Sequence, residues 1–591
     1  MRFQSDSPGG TLVAVSGVNT ISFAVIATDQ LKQGLLGFAV ERLDPTDNER
    51  FFMAGFKVFK SVIPQPQPGM RASTFDQPVQ SFVWDDFTAK PDREYHYLFH
   101  PLKGEPKNLN RSSAPLSITV RTEPLFSDLE HDVFFNRGVA SSQAYTRRFG
   151  SAPIDELQPP AKRDAALRWL SRDLDVALLR FIDHCAAGDR LLCCFYEFRY
   201  KPAVTALKAA IDRGVDVQVI IDAKVNEFTD KYGDFHPSFP RGDNLAMIAE
   251  VGIPEANVIR REARTSAIQH NKFMVRITAA AGPVEVWTGS TNLSQGGVSG
   301  QTNVGHWLRN SDTANRYVQY WDVLSDDPGG TEADALAEVK LKNKVFKSAV
   351  ESVSPVPTDL HQLPAGTTAV FSPRLTDTVL QSYSTMLDTA QRQGCITLAF
   401  GIGATFKDLL KDNTPQNALI FMLLEKRDKP DPKKPEAFVA INASNNVYKA
   451  SGSFLRDPVY QWAKETNAKL LGLNQHVSYI HSKFMLIDPL SADPVVVTGS
   501  ANFSEPSTKE NDENMLVIRG DTRVADIYLT EFNRLFNHYY FRSAVESFTA
   551  HHEATDGASL FLTEDTTWQA KYAPGSFRAK RLQLFGNIAI A

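Results

Sequence analysis

At 591 residues, with 42% hydrophobic and 22% charged side chains, the chain has the balance of an ordinary soluble globular protein, and its length exceeds one compact core, so about three or four domains are expected. A formal net charge of −5 argues against a molecule that grips nucleic acid over its whole surface, although a local basic groove can sit on an acidic protein. No apolar run approaches the ~20 residues that a membrane-spanning helix needs, which argues against an integral membrane protein.

The opening residues, MRFQSDSPGGTLVAVSGVNT, lack the basic start and continuous apolar core of a cleavable signal, so the expected location is cytoplasmic or reached by a non-standard export route. Residues 1–128 then alternate short apolar runs with turn signals: TLVAVSG, TISFAVIA, LLGFAVERL, FFMAGFKVF, SFVWDDF, EYHYLFHPL and SITVRT. That spacing predicts an antiparallel β-sandwich, and Trp84 followed by Tyr95 and Tyr97 resembles the core aromatics of fibronectin type III and immunoglobulin-like modules. A sandwich says little about function, and its partner stays unknown.

From about residue 160 the grammar changes. AALRWLSRDLDVALLRFIDHC reads as helix and RLLCCFYEF as strand, followed by PAVTALKAAIDRG and VDVQVIID, which predicts an α/β layer with a mixed sheet. The same sequence of elements returns in DTVLQSYSTMLDTAQRQ, CITLAFGIG, FKDLLKD and NALIFMLLEK. Two lobes are therefore expected, over 129–350 and 351–591, with a Pro-rich joint in VESVSPVPTDLHQLPAG. Cys185, Cys193, Cys194 and Cys395 offer neither a disulfide framework nor a metal-ligand spacing and read as buried thiols.

The repeats also share chemistry. IQHNKFMV at 268–275 faces YIHSKFMLID at 479–488, and WTGSTNLS from Trp287 faces VTGSANFS from Val497. Each copy thus holds a His, a Lys two residues later, and a Gly-Ser-x-Asn turn about twenty residues downstream. Strand alternation places His270 with Lys272, and His481 with Lys483, on one face. Lysines and side-chain amides can donate to phosphate oxygens while an imidazole attacks phosphorus, so Lys272, Lys483, Asn292 and Asn502 are candidate phosphate ligands. Either motif alone is an ordinary sequence accident; both, twice and at matched spacing, are not.

At these residues the chain resembles the phospholipase D superfamily, whose signature is His-x-Lys, an Asp beyond four further residues, and the Gly-Ser-x-Asn turn. The second copy fits throughout, with His481, Lys483, Asp488, Gly499, Ser500 and Asn502. The first keeps His270, Lys272, Gly289, Ser290 and Asn292 but has Ile277 in place of the Asp, a loss also tolerated in tyrosyl-DNA phosphodiesterases. The resemblance implies an α/β fold of two pseudo-twofold-related lobes that contribute one histidine each to a single pocket. It implies a covalent phosphohistidine and needs neither metal nor cofactor. It further implies that an acidic position after each turn orients the opposite histidine: Glu513 backs His270, and Asn303 backs His481. From that asymmetry His270 is read as the nucleophile and His481 as the general acid, with the reverse assignment as the alternative. Ser290, Ser500 and Asp488 are read as support.

Hydrolysis of phospholipid head groups, or phosphatidyl transfer, is the leading expectation, with peripheral membrane contact. A nuclease or DNA-end phosphodiesterase is the runner-up, and a non-catalytic binding protein the third reading. Tyr196 and Glu197 fall at a strand end near the expected pocket, where a solvated Glu is the ordinary outcome. Trp568, Tyr572, Arg578, Lys580 and Arg581 read as a packed aromatic with surface charges, the alternative being a substrate entrance.

Overall fold

The apolar runs of the two repeats are strands buried on both faces, as expected where helices cover a sheet from each side. A computed structural model describes residues 1–66, 70–138, 143–150, 152, 154–230, 233–264, 266–430, 438–452, 479–551, 561–586 and 588. In the first half seven strands run in the order His131–Phe135, Val304–Leu308, Gly282–Gly289, Lys272–Thr278, Arg190–Phe195, Asp216–Asp222 and Val258–Arg261. In the second, the order is Gly366–Ser372, Glu513–Arg519, Val495–Gly499, Phe484–Ile487, Gln393–Leu398, Leu419–Leu424 and Val447–Ser451. The two sheets match strand for strand. In each, the last three strands are mutually parallel and the others join antiparallel.

Period-two alternation sorts the side chains between layers. Leu192, Cys194, Phe273 and Val275 of the first sheet, with Cys395, Phe421, Phe484 and Leu486 of the second, enter one central core shared with helices Ser311–Ser325 and Thr522–His551. The intervening Leu191, Cys193 and Met274 pack outward against helices Leu174–Asp183 and Lys201–Asp212, and Ile396, Leu398 and Met485 against Thr378–Asp388. The chain is thus helix, sheet, helix pair, sheet, helix. Removing a central ring such as Phe484 would cost about 3–5 kcal/mol. All four cysteines are buried and free.

The β-rich N-terminal part forms two antiparallel sheets, one ordered Arg2–Ser7, Gly10–Ser16, Ile21–Ala27, Val83–Asp86, the other built on Glu94–Glu105 between Asn108–Asn110 and Gly37–Asp44. Leu12, Phe23, Tyr95, Tyr97 and Phe99 share its core. Its first sheet leans on helix Thr522–His551, where Arg2 Nε meets Asp526 at 3.0 Å. The closing stretch returns to the same place: Phe561–Leu562 pairs with Val58–Phe59, and Trp568, buried in that core, donates to the Leu35 carbonyl at 3.0 Å. The Tyr572 hydroxyl accepts from the Phe82 amide, Lys580 Nζ donates to the Pro415 carbonyl and Arg581 meets Asn537. This cluster packs; it does not line the site described next. Among the described residues no helix is long and apolar enough to cross a membrane.

Candidate active site

Both His-x-Lys segments lie at the entry to a strand rather than inside one, since the ladders begin at Lys272 and Phe484. The opposite lobe holds them instead. The His270 amide donates to the Asp512 carbonyl and the Asp512 amide to the Ile268 carbonyl, both at 2.9 Å. In the pseudo-symmetric place the Thr302 amide donates to the Tyr479 carbonyl at 2.7 Å, and the His481 amide to Thr302 Oγ1 at 3.2 Å. Buried carboxylates at the neighbouring strand ends fix the same backbone from behind: Asp222 accepts from the Gln269 amide at 2.9 Å, and Glu425 from the Ile480 amide at 2.7 Å. Each half therefore builds its histidine's backbone site jointly with the other.

The glycines that open the turns have no room for a side chain. A Cβ on Gly289 (φ +127°) would lie 2.3 Å from the Val304 carbonyl oxygen, and one on Gly499 2.2 Å from that of Asn514. That close approach brings each serine over the neighbouring strand. Ser500 Oγ donates to Glu513 at 2.6 Å, and Glu513 accepts from His270 Nδ1 at 3.0 Å. In the other relay Ser290 Oγ donates to Asn303 Oδ1 at 2.8 Å, and His481 Nδ1 lies 2.9 Å from the same oxygen. Asn303 is oriented by its own NH2, which donates to the Gly297 carbonyl at 2.8 Å. Both imidazoles consequently carry their proton on Nδ1 and leave Nε2 as the reactive nitrogen.

All these groups are buried, and charge is scarce and balanced. Burial pulls His270 down to about 4 despite the Glu513 carboxylate, with Lys272 and Lys483 adding to the depression. His481 is held well below the usual range by burial and then by Lys483, Lys272 and His270, with no carboxylate to oppose them. Lys272 is lowered to about 8 by burial, opposed by Glu513 and Glu197; Lys483 is held well below its ordinary value by burial and by the charge of Lys272, opposed by the same two carboxylates. For Glu513 burial acts upward, but His270 and Lys272 outweigh it and hold the carboxylate low. The hydrogen bonds from His270 to Glu513 and from His481 to Asn303 join residues of both lobes in one site. Each lysine turns its Nζ back to its own histidine's carbonyl, at 2.6 Å for Lys272 and 2.7 Å for Lys483.

The turn asparagines differ. Asn292 is pinned, its Nδ2 donating to Glu197 Oε1 at 2.7 Å, whereas the buried Oδ1 atoms of Asn292 and Asn502 both lack a partner among the described residues. Glu197 is buried rather than solvated, which corrects the sequence expectation; it also receives Arg199 Nε at 3.0 Å and Nη2 at 2.9 Å. The Tyr196 ring lies 5.1 Å from that of His270. Asp488 sits behind its sheet and accepts the Gln391, Arg392 and Gln393 amides at 2.8, 2.7 and 2.9 Å. Where Ile277 replaces it, a carboxylate stands just before the facing strand: Asp189 accepts the Ala186 amide at 3.1 Å and Arg276 Nε at 3.0 Å. Sequence reading missed Asp222 and Glu425, equivalent acids closing apolar strands. It also missed Asp512, clamped by Arg261 at 2.9 Å and Arg264 at 3.4 Å.

The family model described as cardiolipin synthase, PLD-like domain, matches residues 178–324 and 386–536, together half of the chain and one match per lobe. No curated protein matches. Among solved structures, phosphatidylserine synthase of Haemophilus influenzae aligns at 10% identity and TM-score 0.41, over 64% of this chain and 91% of that one. Yeast tyrosyl-DNA phosphodiesterase aligns at 12% and 0.29, over 58% and 87%. The phospholipase D family member Nuc of Salmonella typhimurium aligns at 16% and 0.21, over 29% and 93%. With a family match on each lobe, the chain belongs to the phospholipase D-like family.

Proposed function

We propose that this chain is a phosphodiesterase that cleaves phospholipid head groups, by hydrolysis or phosphatidyl transfer, through a covalent phosphohistidine and without a metal. The observation that carries the chemistry is the crossed pair of relays, Ser500–Glu513–His270 and Ser290–Asn303–His481, each spanning both lobes. His270 Nε2 attacks phosphorus; the bond to the leaving oxygen breaks, and that oxygen takes the Nε2 proton of His481. Water or an alcohol then attacks phosphorus and gives its proton back to His481, while the N–P bond pair returns to His270. Lys272, Lys483, Asn292 and Asn502 donate to the non-bridging oxygens, the role a cation fills elsewhere. Glu513 stabilises the cationic phosphohistidine, and neutral Asn303 leaves His481 ready to release its proton. Because burial keeps His481 neutral near pH 7, that proton is taken up as the anionic substrate enters.

A lipid substrate is favoured by the rim. A short hairpin, Phe228–Thr229 with Phe235–His236, rises between Asp222 and Phe239, and the Phe239 ring lies 6.3 Å from that of Tyr196, beside His270. Val225, Phe228 and Phe235 are 56%, 58% and 63% exposed, and Phe400, in the other lobe's counterpart of the Glu197 position, is 60% exposed. Bulky apolar side chains held in water beside a phosphodiester site suit an acyl-chain surface and peripheral membrane contact. The description of the matching family as cardiolipin synthase agrees with it. Ile277 in place of the motif Asp favours the second reading, a DNA-end phosphodiesterase or nuclease. Purified protein assayed in chelator against phospholipid vesicles, single-stranded DNA and duplex DNA decides between them. Head-group release from vesicles alone is expected; turnover of DNA alone would replace the lipid reading.

A further inference from the structure

Glu197 has no counterpart in the second half, where Phe400 occupies its place two residues beyond the matching strand. It is a carboxylate buried in the pocket, gripped at two points by Arg199 and bonded to the amide of Asn292. Arg199 itself reaches Asp243 at 3.2 Å and covers the Phe239 ring, 5.3 Å from its centroid. Phe239, Arg199, Glu197 and Asn292 thus form one continuous contact chain to a phosphate-site amide.

We propose that Glu197 is a positioning residue of the phosphate site: it holds the Asn292 amide in one orientation through its NH2 and places a second carboxylate in the pocket with the two buried lysines. The proposal rests on the phosphodiesterase reading and deepens it. An asparagine amide is nearly symmetric in shape, so without a partner its oxygen and nitrogen exchange places at little cost, and half of the orientations would aim an acceptor at an anionic oxygen. A carboxylate accepts only, so Glu197 selects one orientation. The same bond leaves Asn292 Oδ1 buried with no partner among the described residues. As for charge, Lys272 faces Glu513, Glu197 and Cys194, and Lys483 faces Lys272, Glu513 and Glu197. Glu513 acts on both lysines more strongly, and Glu197 is the second carboxylate that faces the pair. Two ammonium groups buried together with fewer than two carboxylates would shed a proton.

The test compares Glu197→Asp, Glu197→Gln and Glu197→Ala with the wild type, by calorimetric binding of inorganic phosphate from pH 6 to 9 and by turnover of bis(p-nitrophenyl) phosphate over the same range. Wild-type affinity should fall as pH rises through about 8, where Lys272 loses its charge. Glu197→Gln keeps the shape and loses the charge, so its decline should begin at distinctly lower pH, with about tenfold weaker binding at pH 8. Glu197→Asp keeps the charge and should retain the wild-type profile, while Glu197→Ala should resemble Gln and lose kcat more than KM. A residue that merely fills space would reverse the order, with Gln near wild type and Asp impaired, and that order would overturn the proposal. Phosphate binding reads Glu197 without any turnover, so a wild type that binds phosphate yet leaves every diester intact would sink the enzymatic reading alone.

Discussion

The two lobes share one sheet order and one motif spacing, yet they back their histidines differently. His270 rests on a carboxylate and His481 on an amide, while Asn292 is pinned by a glutamate and Asn502 has only an apolar position, Phe400, at the matching site. Duplication supplies two of everything, but a displacement through a covalent intermediate needs unlike partners: one imidazole that becomes a phosphorylated cation and one that gives and takes a proton. Fold symmetry and chemical asymmetry are therefore carried by different residues. The strands hold the first, and a few positions behind the histidines hold the second.

The comparison breaks first at the histidines. His270→Ala should lower turnover of bis(p-nitrophenyl) phosphate by about 10⁴-fold or more. His481→Ala should keep the first release of p-nitrophenolate, because that group departs without protonation, and lose the later turnovers, because the water that frees His270 then has no base. Glu513→Gln makes both relays amide-backed, and kcat should fall by about 10²- to 10⁴-fold, as when a histidine loses its orienting carboxylate; unchanged turnover would show that the acid contributes nothing. Asp488→Ala removes an acceptor shared by three backbone amides and should cost about 1–3 kcal/mol in denaturant unfolding while sparing kcat of the folded protein. Asn303→Asp makes both relays carboxylate-backed, and its effect should be the smallest. Wild-type protein should take up about one proton on binding phosphate at pH 7, read from the dependence of binding heat on buffer ionisation, because a buried neutral imidazole gains an anionic neighbour. In the variant a carboxylate beside His481 favours its charged form before phosphate binds, and the uptake should shrink.

The repeat made much of this legible. Paired His-x-Lys and Gly-Ser-x-Asn spacings located both relays, because a side chain's place in a strand–turn–strand unit is fixed by counting residues. Glu513 and Asn303 were found the same way, at equal distances from Gly499 and Gly289. Glu197 was placed near the pocket but read as solvated, and Asp222 and Asp512 were not singled out, because their roles depend on contacts formed between lobes or between strands far apart in sequence: 95 residues separate Glu197 from Asn292, and 251 separate Arg261 from Asp512. The destination of Trp568 was hidden for the same reason. An aromatic with basic neighbours looks alike whether it lines an entrance or, as here, plugs the core of the N-terminal sheets.

The most direct measurement is where a covalent adduct forms when its release is blocked. His481→Ala protein mixed with bis(p-nitrophenyl) phosphate, quenched, digested and read by mass spectrometry should carry an acid-labile p-nitrophenylphosphoryl group on the peptide containing His270. An adduct on His481 in the His270→Ala protein, with none on His270 in the converse variant, would contradict the assignment. No adduct at either histidine would contradict the shared pocket itself.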